Sequence, residues 1–270
     1  MPDSENLYFE SYGSGDPILF LHGLGANIFS WKQLVPYLEK KYTLMLLDLK
    51  GFGRSPKPFD GRYSIYDHAQ CVLKFIRDHD LQNLIIVGNS FGGVVGLIVA
   101  EKLQQKNGAL KALILIDSVG YRQELPWLVE LMKIPLLGLI SLALPAGPLV
   151  KMVIKNSFYD KKKIPHSEIT EYSKLLLSWR AKYAFRQTAK GLPPPNAGEL
   201  EKSYKNISIP TLIIWGKNDK VVPLELGKRF HAEIKNSEMI VFENCGHVPQ
   251  EETPRETADA ILAFLEKIEK

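Results

Sequence analysis

Six short runs along this chain are apolar almost from end to end: Ile18–His22, Thr43–Asp48, Leu84–Gly88, Ala112–Asp117, Thr211–Gly216 and Met239–Phe242. A strand with one wet face alternates apolar and polar residues, whereas a strand covered on both faces does not. Gly, Pro or Asp bounds most of these runs, as expected of buried strands. Between them lie helical patterns, at about Phe29–Glu39, Ser64–Asp78, Phe91–Gln105, Leu224–Ile234 and Pro254–Lys267. In the last, Ala258, Ile261, Leu262 and Leu265 make one apolar face, and Pro254 suits a first helical turn. Strands alternating with helices predict an α/β fold with a mostly parallel, doubly wound sheet. The alternation breaks between about Tyr121 and Tyr204, where broken apolar helices, then Ser167–Thr188, then Pro193-Pro194-Pro195 replace any strand pattern. That stretch reads as an inserted helical lid. The expected division is a core of residues 1–120 and 205–270 and a lid of 121–204, which 270 residues accommodate as one large domain.

The strand at Leu84 runs straight into Gly88-Asn89-Ser90-Phe91-Gly92, and a helical pattern follows. Gly-x-Ser-x-Gly is weak evidence as a bare pattern. Between a strand and a helix it describes a sharp turn whose glycines admit neighbouring backbone and whose serine hydroxyl stands above the sheet. Free N–H groups at the helix start favour developing negative charge there. Ser90 is therefore the candidate nucleophile.

A serine hydroxyl needs a base. His247 follows the last strand and precedes the last helix, at the carboxyl edge where α/β sheets place reacting groups. An orienting carboxylate is expected after a strand between serine and histidine. Asp219 meets this and is favoured; Asp117, after the preceding strand, is the rival and otherwise caps a local turn or helix. Two backbone donors are expected for an oxyanion, Phe91 N–H beside the nucleophile and Leu24 N–H in His22-Gly23-Leu24-Gly25. His22 is expected to order that loop. His68, His79 and His231 fall on helices and His166 in the lid.

The remaining signals mostly exclude. A formal charge of +4 is too small and scattered for nucleic-acid binding, and Lys161-Lys162-Lys163 reads as a solvated run. Two cysteines, Cys71 and Cys245, make neither a disulfide framework nor a metal site, and both are expected to fill core space. Ile134–Val150 carries no charge but is short and broken by Pro135, Pro145, Pro148, Gly138 and Gly147, so no stable membrane span is expected. Glu5–Phe9 with Glu10-Ser11 resembles a tag-protease site, but Glu10 stands where that site needs Gln, and the segment reads as a first strand. No secretory signal pattern appears, so a cytoplasmic location is the expectation.

Taken together, these motifs resemble the α/β-hydrolases, the group holding esterases, lipases, cofactor-free haloperoxidases and carbon–carbon bond hydrolases. The likeness rests on His22-Gly23, on Asp48-Leu49-Lys50-Gly51-Phe52-Gly53-Arg54-Ser55, on the serine turn, on the Asp219 loop, and on Gly246-His247-Val248-Pro249 with Glu252 and Pro254. Lys50 replaces the proline most common there, and Asp48 and Arg54 resemble structural loop residues. The resemblance implies hydrolysis through an acyl-enzyme, with no cofactor and no metal. Ser90 disfavours the relatives that use Asp as nucleophile. Gly-Asn-Ser resembles the carbon–carbon hydrolases, but these usually carry a longer Gly-rich oxyanion loop and often Trp where Val248 stands. Carboxylic ester hydrolysis is the default; lactonase, thioesterase and carbon–carbon hydrolase are alternatives, and a hydrolase-fold ligand receptor is the non-enzymatic one. Trp127, Leu128, Leu131, Met132, Leu136, Leu137, Ile140 and Leu144 make the lid apolar, so an apolar acyl or alcohol group is expected. Trp127, Leu131, Val222 and Val248 are the substrate-lining candidates. The expected partner is a small-molecule ester, with at most weak contact of the lid with lipid surfaces, and the chain is expected to be a monomer or small homo-oligomer.

Overall fold

Strands β1 (Phe9–Gly13), β2 (Pro17–Leu21), β3 (Thr43–Leu47), β4 (Leu84–Asn89), β5 (Leu110–Ile116), β6 (Thr211–Gly216) and β7 (Ser237–Phe242) form one sheet in the order β1-β3-β2-β4-β5-β6-β7. The structure, a computed structural model, describes residues 6–104, 109–134, 146–164, 166–175 and 178–270. Only β1 runs antiparallel, against β3; the other neighbours pair in parallel. Each continuous apolar run becomes a strand. The first strand begins at Phe9, four residues later than the sequence pattern placed it, and pairs through Gly13 with Thr43.

Both faces of the sheet are covered. From β2, Leu19 and Leu21 enter one apolar cluster while Ile18 and Phe20 enter the other, as alternate side chains of a strand must. Helices α2 (Ile65–Asp78), α3 (Phe91–Leu103) and α9 (Leu224–Glu233) cover the first face; α1 (Val35–Leu38) and the C-terminal α10 (Pro254–Ile268) cover the second. On α10, Ala258, Ile261, Phe264 and Leu265 are buried and Leu262 lies at the edge. The helix expected over Phe29–Glu39 splits into a 3-10 segment, Ile28–Leu34, and α1. Asn27 caps Phe29 N–H at 2.7 Å, and Pro36, with no N–H to return to the preceding turn, restarts the helix as one of its first residues. Ser64 and Asp67 close a reciprocal capping box at the start of α2.

Between the neighbouring strands β5 and β6, the described residues are helical and contain no strand: α4 (Trp127–Lys133), α5 (Ala146–Ser157), α6 (His166–Leu175), α7 (Trp179–Lys190) and α8 (Ala197–Ser203). Leu136, Leu137, Ile140 and Leu144 lie outside the described residues, as does the side chain of Leu128. Among the described residues, no helix is long and apolar enough to cross a membrane.

Parallel registry lines up the carboxyl ends of five strands. Leu21 pairs with Gly88, Asn89 with Ile116, Ile116 with Ile214, and Gly216 with Phe242. The loops after β2, β4, β5, β6 and β7 therefore meet along one edge, although they are far apart in sequence. In the segment after β2, Trp31 is fully buried with its ring 5.1 Å from Phe20 of that strand. Trp31→Ala is expected to cost about 3–5 kcal/mol of stability, read as a lower urea midpoint with an unchanged slope.

Candidate active site

Ser90 sits at φ +53° and ψ −116°, in a left-handed region that a residue with a side chain enters only under strain. Three glycines make the turn fit. A Cβ on Gly88 would press on the Gly92 carbonyl oxygen at 2.5 Å. One on Gly92 would overlap the Leu21 carbonyl, and one on Gly93 the Ser118 hydroxyl. The turn is tied down by Ser90 N–H to Ile116 O at 3.0 Å and by Ser90 O, which accepts from Gly93 at 3.0 Å and Val119 at 3.2 Å. Ser90 thus stands at the N-cap of α3, and its hydroxyl makes no capping bond.

His247 Nδ1 lies 2.7 Å from Asp219 Oδ2. The other Asp219 oxygen accepts Val221 N–H at 2.6 Å and Val222 N–H at 3.0 Å, so the carboxylate is held on both sides. Burial raises the Asp219 pKa, but His247, Asp117 and the loop amides outweigh it and hold the carboxyl below its ordinary value. With Nδ1–H donated to Asp219, Nε2 is the free basic nitrogen. Asn218 N–H binds Cys245 O at 2.9 Å and so joins the acid loop to the histidine loop. Asn89, just before the serine, donates to His247 O at 3.1 Å and to Ile116 O at 3.1 Å. That bond ties the serine turn to the histidine loop. Its only sequence signal is the position next to Ser90.

The loop after β2 packs on the serine turn: a Cβ on Gly23 would come within 3.4 Å of Ser90 Cβ. Among the described residues, neither Leu24 N–H nor Phe91 N–H donates to another protein group. His22 is buried and bonded at both nitrogens, with Nδ1–H to Gly23 O at 2.8 Å and Nε2 accepting Leu49 N–H at 3.0 Å. Burial lowers its pKa, in keeping with the neutral form this pattern requires. Asp48 accepts Ile28 N–H at 2.8 Å and Arg54 N–H at 2.7 Å, bracing two loops at once. Lys50 is buried against Asp60, at 2.7 Å, and Arg62 O, at 3.0 Å. It anchors the loop that follows.

The helical insertion is fastened to the histidine loop. Glu252 accepts Gly246 N–H at 2.8 Å, Tyr159 N–H at 3.1 Å and Asp160 N–H at 2.7 Å. His247 N–H donates to Ser157 O at 2.7 Å, and a Cβ on Gly246 would overlap that carbonyl. Lys163, from the lysine run, donates to Glu252 O at 3.1 Å. Val248 packs with Val150, Ile154, Phe158 and Tyr172 of the insertion. Trp127 and Leu131 line an open groove of about 700 Å³ with Glu124, Leu125, Glu130 and Ile134; none of Ser90, Asp219 and His247 lines it. Val222 is fully buried in the main core. Cys245 is buried too, and burial pushes its thiol up to about 12, which leaves no thiolate to react. Cys71 is half-buried on α2. Asp117, Asp219 and His247 offer polar atoms within 4.8 Å of one another; His247 Nδ1 is bonded to Asp219 and Asp117 Oδ1 accepts Gly216 N–H.

The sheet order, the serine turn and the histidine–carboxylate pair define a hydrolase-type α/β protein. The sequence profile of the alpha/beta hydrolase family matches residues 18–260, and the chain belongs to that family. It is 29% identical to a 2-hydroxy-6-oxo-6-(2'-aminophenyl)hexa-2,4-dienoic acid hydrolase of Metapseudomonas resinovorans, over 97% of this chain and 88% of that one. It is 27% identical to Lipase 3 of a Moraxella species, over 95% and 79%. A solved serine hydrolase involved in carbazole degradation, the CarC enzyme, superposes with a TM-score of 0.78 at 27% identity, covering 96% of this chain and 94% of that one.

Glu251 is fully enclosed next to the histidine loop. It accepts from Ser30 Oγ at 2.6 Å and from Tyr172 OH at 2.9 Å, and so links the core to α6 of the insertion. Burial lifts its pKa from 4.5 to about 7, with Ser30, Tyr172 and His247 opposing. The folded protein then holds more protons than the unfolded chain between about 4.5 and about 7, so this group makes stability fall as pH rises through that window. Glu251→Gln, neutral at every pH, is expected to match wild type near pH 4.5 and to exceed it by on the order of 2–3 kcal/mol at pH 8. Urea melts across pH check this, and a variant whose difference from wild type does not change with pH contradicts it.

Proposed function

We propose that the protein is a serine hydrolase of carboxylic esters with apolar, small-to-medium acyl or alcohol groups. The observation that carries this reading is the left-handed serine turn bonded, through Asn89, to the loop holding the His247–Asp219 pair. Ser90 Oγ attacks the ester carbonyl as His247 Nε2 takes its proton, and Asp219 stabilises the imidazolium. Leu24 and Phe91 N–H groups hold the oxyanion. The alcohol leaves with the proton from His247. Water, activated by the same nitrogen, then frees the acid and regenerates Ser90. The steps need neither metal nor organic cofactor. Residues 121–204 act as a lid over a core of 1–120 and 205–270, and the lid's apolar side chains packed against Val248, Val150 and Ile154 among them, select the substrate.

Carbon–carbon bond hydrolysis is the second reading. Asn89 in Gly-Asn-Ser and the likeness to the Metapseudomonas hydrolase favour it. Ester hydrolysis is preferred because the loop after His22 is short and Val248 follows the histidine.

Ser90→Ala is expected to lower kcat for a p-nitrophenyl ester by at least about 10³-fold. Full turnover by that variant would overturn the assignment. A panel of esters graded by acyl length, with a lactone, a thioester and a vinylogous diketone acid, separates the two readings. Labelling of Ser90 by a fluorophosphonate without turnover of any of them marks a ligand receptor instead.

A further inference from the structure

Asp117 follows β5, fully buried, at φ +43°. It caps no local turn. Its Oδ1 reaches the neighbouring strand and accepts Gly216 N–H at 3.0 Å. Its Oδ2 is shut off from solvent and, among the described residues, meets no donor. The group beside it is another carboxylate, Asp219, and the polar atoms of Asp117, Asp219 and His247 lie within 4.8 Å of one another. Among the described residues, the other titratable groups acting on it bring no fixed cation. They are Glu252, also a carboxylate, and the neutral Cys245 thiol.

Two buried anions at that spacing repel strongly, and one shared proton turns the repulsion into a charge-assisted hydrogen bond. The bonding pattern says which partner keeps the proton. Asp219 already receives Val221 N–H, Val222 N–H and His247 Nδ1, whereas Asp117 receives one amide. Burial, followed by the Asp219 charge, pushes the Asp117 carboxyl well above the usual carboxylate range.

We propose that Asp117 is a positioning residue for the triad: it stays neutral and donates an Oδ2 proton to the Asp219 carboxylate, so that the pair presents a single negative charge to His247. This rests on the triad reading above. The donated bond fixes the carboxylate plane and draws off part of its charge. Asp219 then orients His247 without locking it as imidazolium.

Asp117→Asn and Asp117→Ala give opposite answers under the two protonation states. Asn keeps an N–H donor toward Asp219 and an oxygen toward Gly216. It is expected to retain most of the kcat that Ala loses, a loss of roughly tenfold or more with KM little changed. Removing the donor makes Asp219 more basic, so in Asp117→Ala the acid limb of kcat/KM moves to higher pH, while in Asp117→Asn it stays in place. A charged Asp117 predicts the reverse: both variants remove an anion and both move the limb to lower pH. That result overturns the proposal. The infrared difference between wild type and Asp117→Asn at pH 8 gives a readout independent of turnover. The C=O stretch of a protonated carboxyl is expected, and its absence also overturns the proposal. Ester turnover by Ser90→Ala would defeat the triad reading alone and leave the infrared band to decide the state of Asp117.

Discussion

The close approach of α3 to the end of β2 sets the geometry of everything along the carboxyl edge. Gly92 lies against the Leu21 carbonyl so tightly that no Cβ fits, and Gly88 lies against Gly92 itself. That contact forces the chain through the left-handed turn at Ser90 and sets the Gly23 loop beside the serine. The strain at φ +53° is of order 1–3 kcal/mol for a residue with a side chain. Bonds from Ile116, Gly93 and Val119, with strands packed on both faces, offset it. Without the glycines the helix stands off from the sheet, and Ser90 and the Gly23 loop no longer lie side by side.

The second organising contact lies between the insertion and the histidine loop. Glu252 collects three N–H groups, one from the histidine loop and two from the segment after α5. The Ser157 carbonyl binds His247 N–H, so the backbone that carries His247 is partly held by the insertion. Movement of those helices is therefore mechanically tied to the placement of His247. In the proposed enzyme, the element that chooses the substrate also seats the base.

Legibility from the sequence followed the range of the interactions. Buried parallel strands leave continuous apolar runs, and these gave the sheet nearly residue by residue. The serine turn, the Asp219 loop and the Gly246-His247 loop were visible because each carries its own local composition. The start of β1 was not, because its partner β3 fixes its register and its own residues do not. The split at Pro36 depended on Asn27 capping ahead of it. Asn89, Glu251 and Glu252 were unassigned or known only as motif letters, since their roles are contacts with residues distant in sequence. Val222 shows the same limit from the other side. Its loop position fitted a pocket wall, yet its side chain is core and its N–H serves Asp219.

Four acidic groups lie around the histidine loop with little or no water, and each meets the cost of burial differently. Asp219 is surrounded by two amides and an imidazole and can keep its charge. Glu252 has three amides directed at it. Glu251 has only two hydroxyls, which solvate a charge less well than amides fixed by the backbone, and burial accordingly lifts its titration to about 7. Asp117 has one amide and a neighbouring carboxylate, the poorest surroundings of the four, and keeps its proton. The number of donors aimed at each separates Asp219 from Glu251 and Asp117. The one left fully ionised beside His247 is Asp219, and its selection over Asp117 is the work of the Val221 and Val222 amides, which the turn after β6 supplies and the turn after β5 does not.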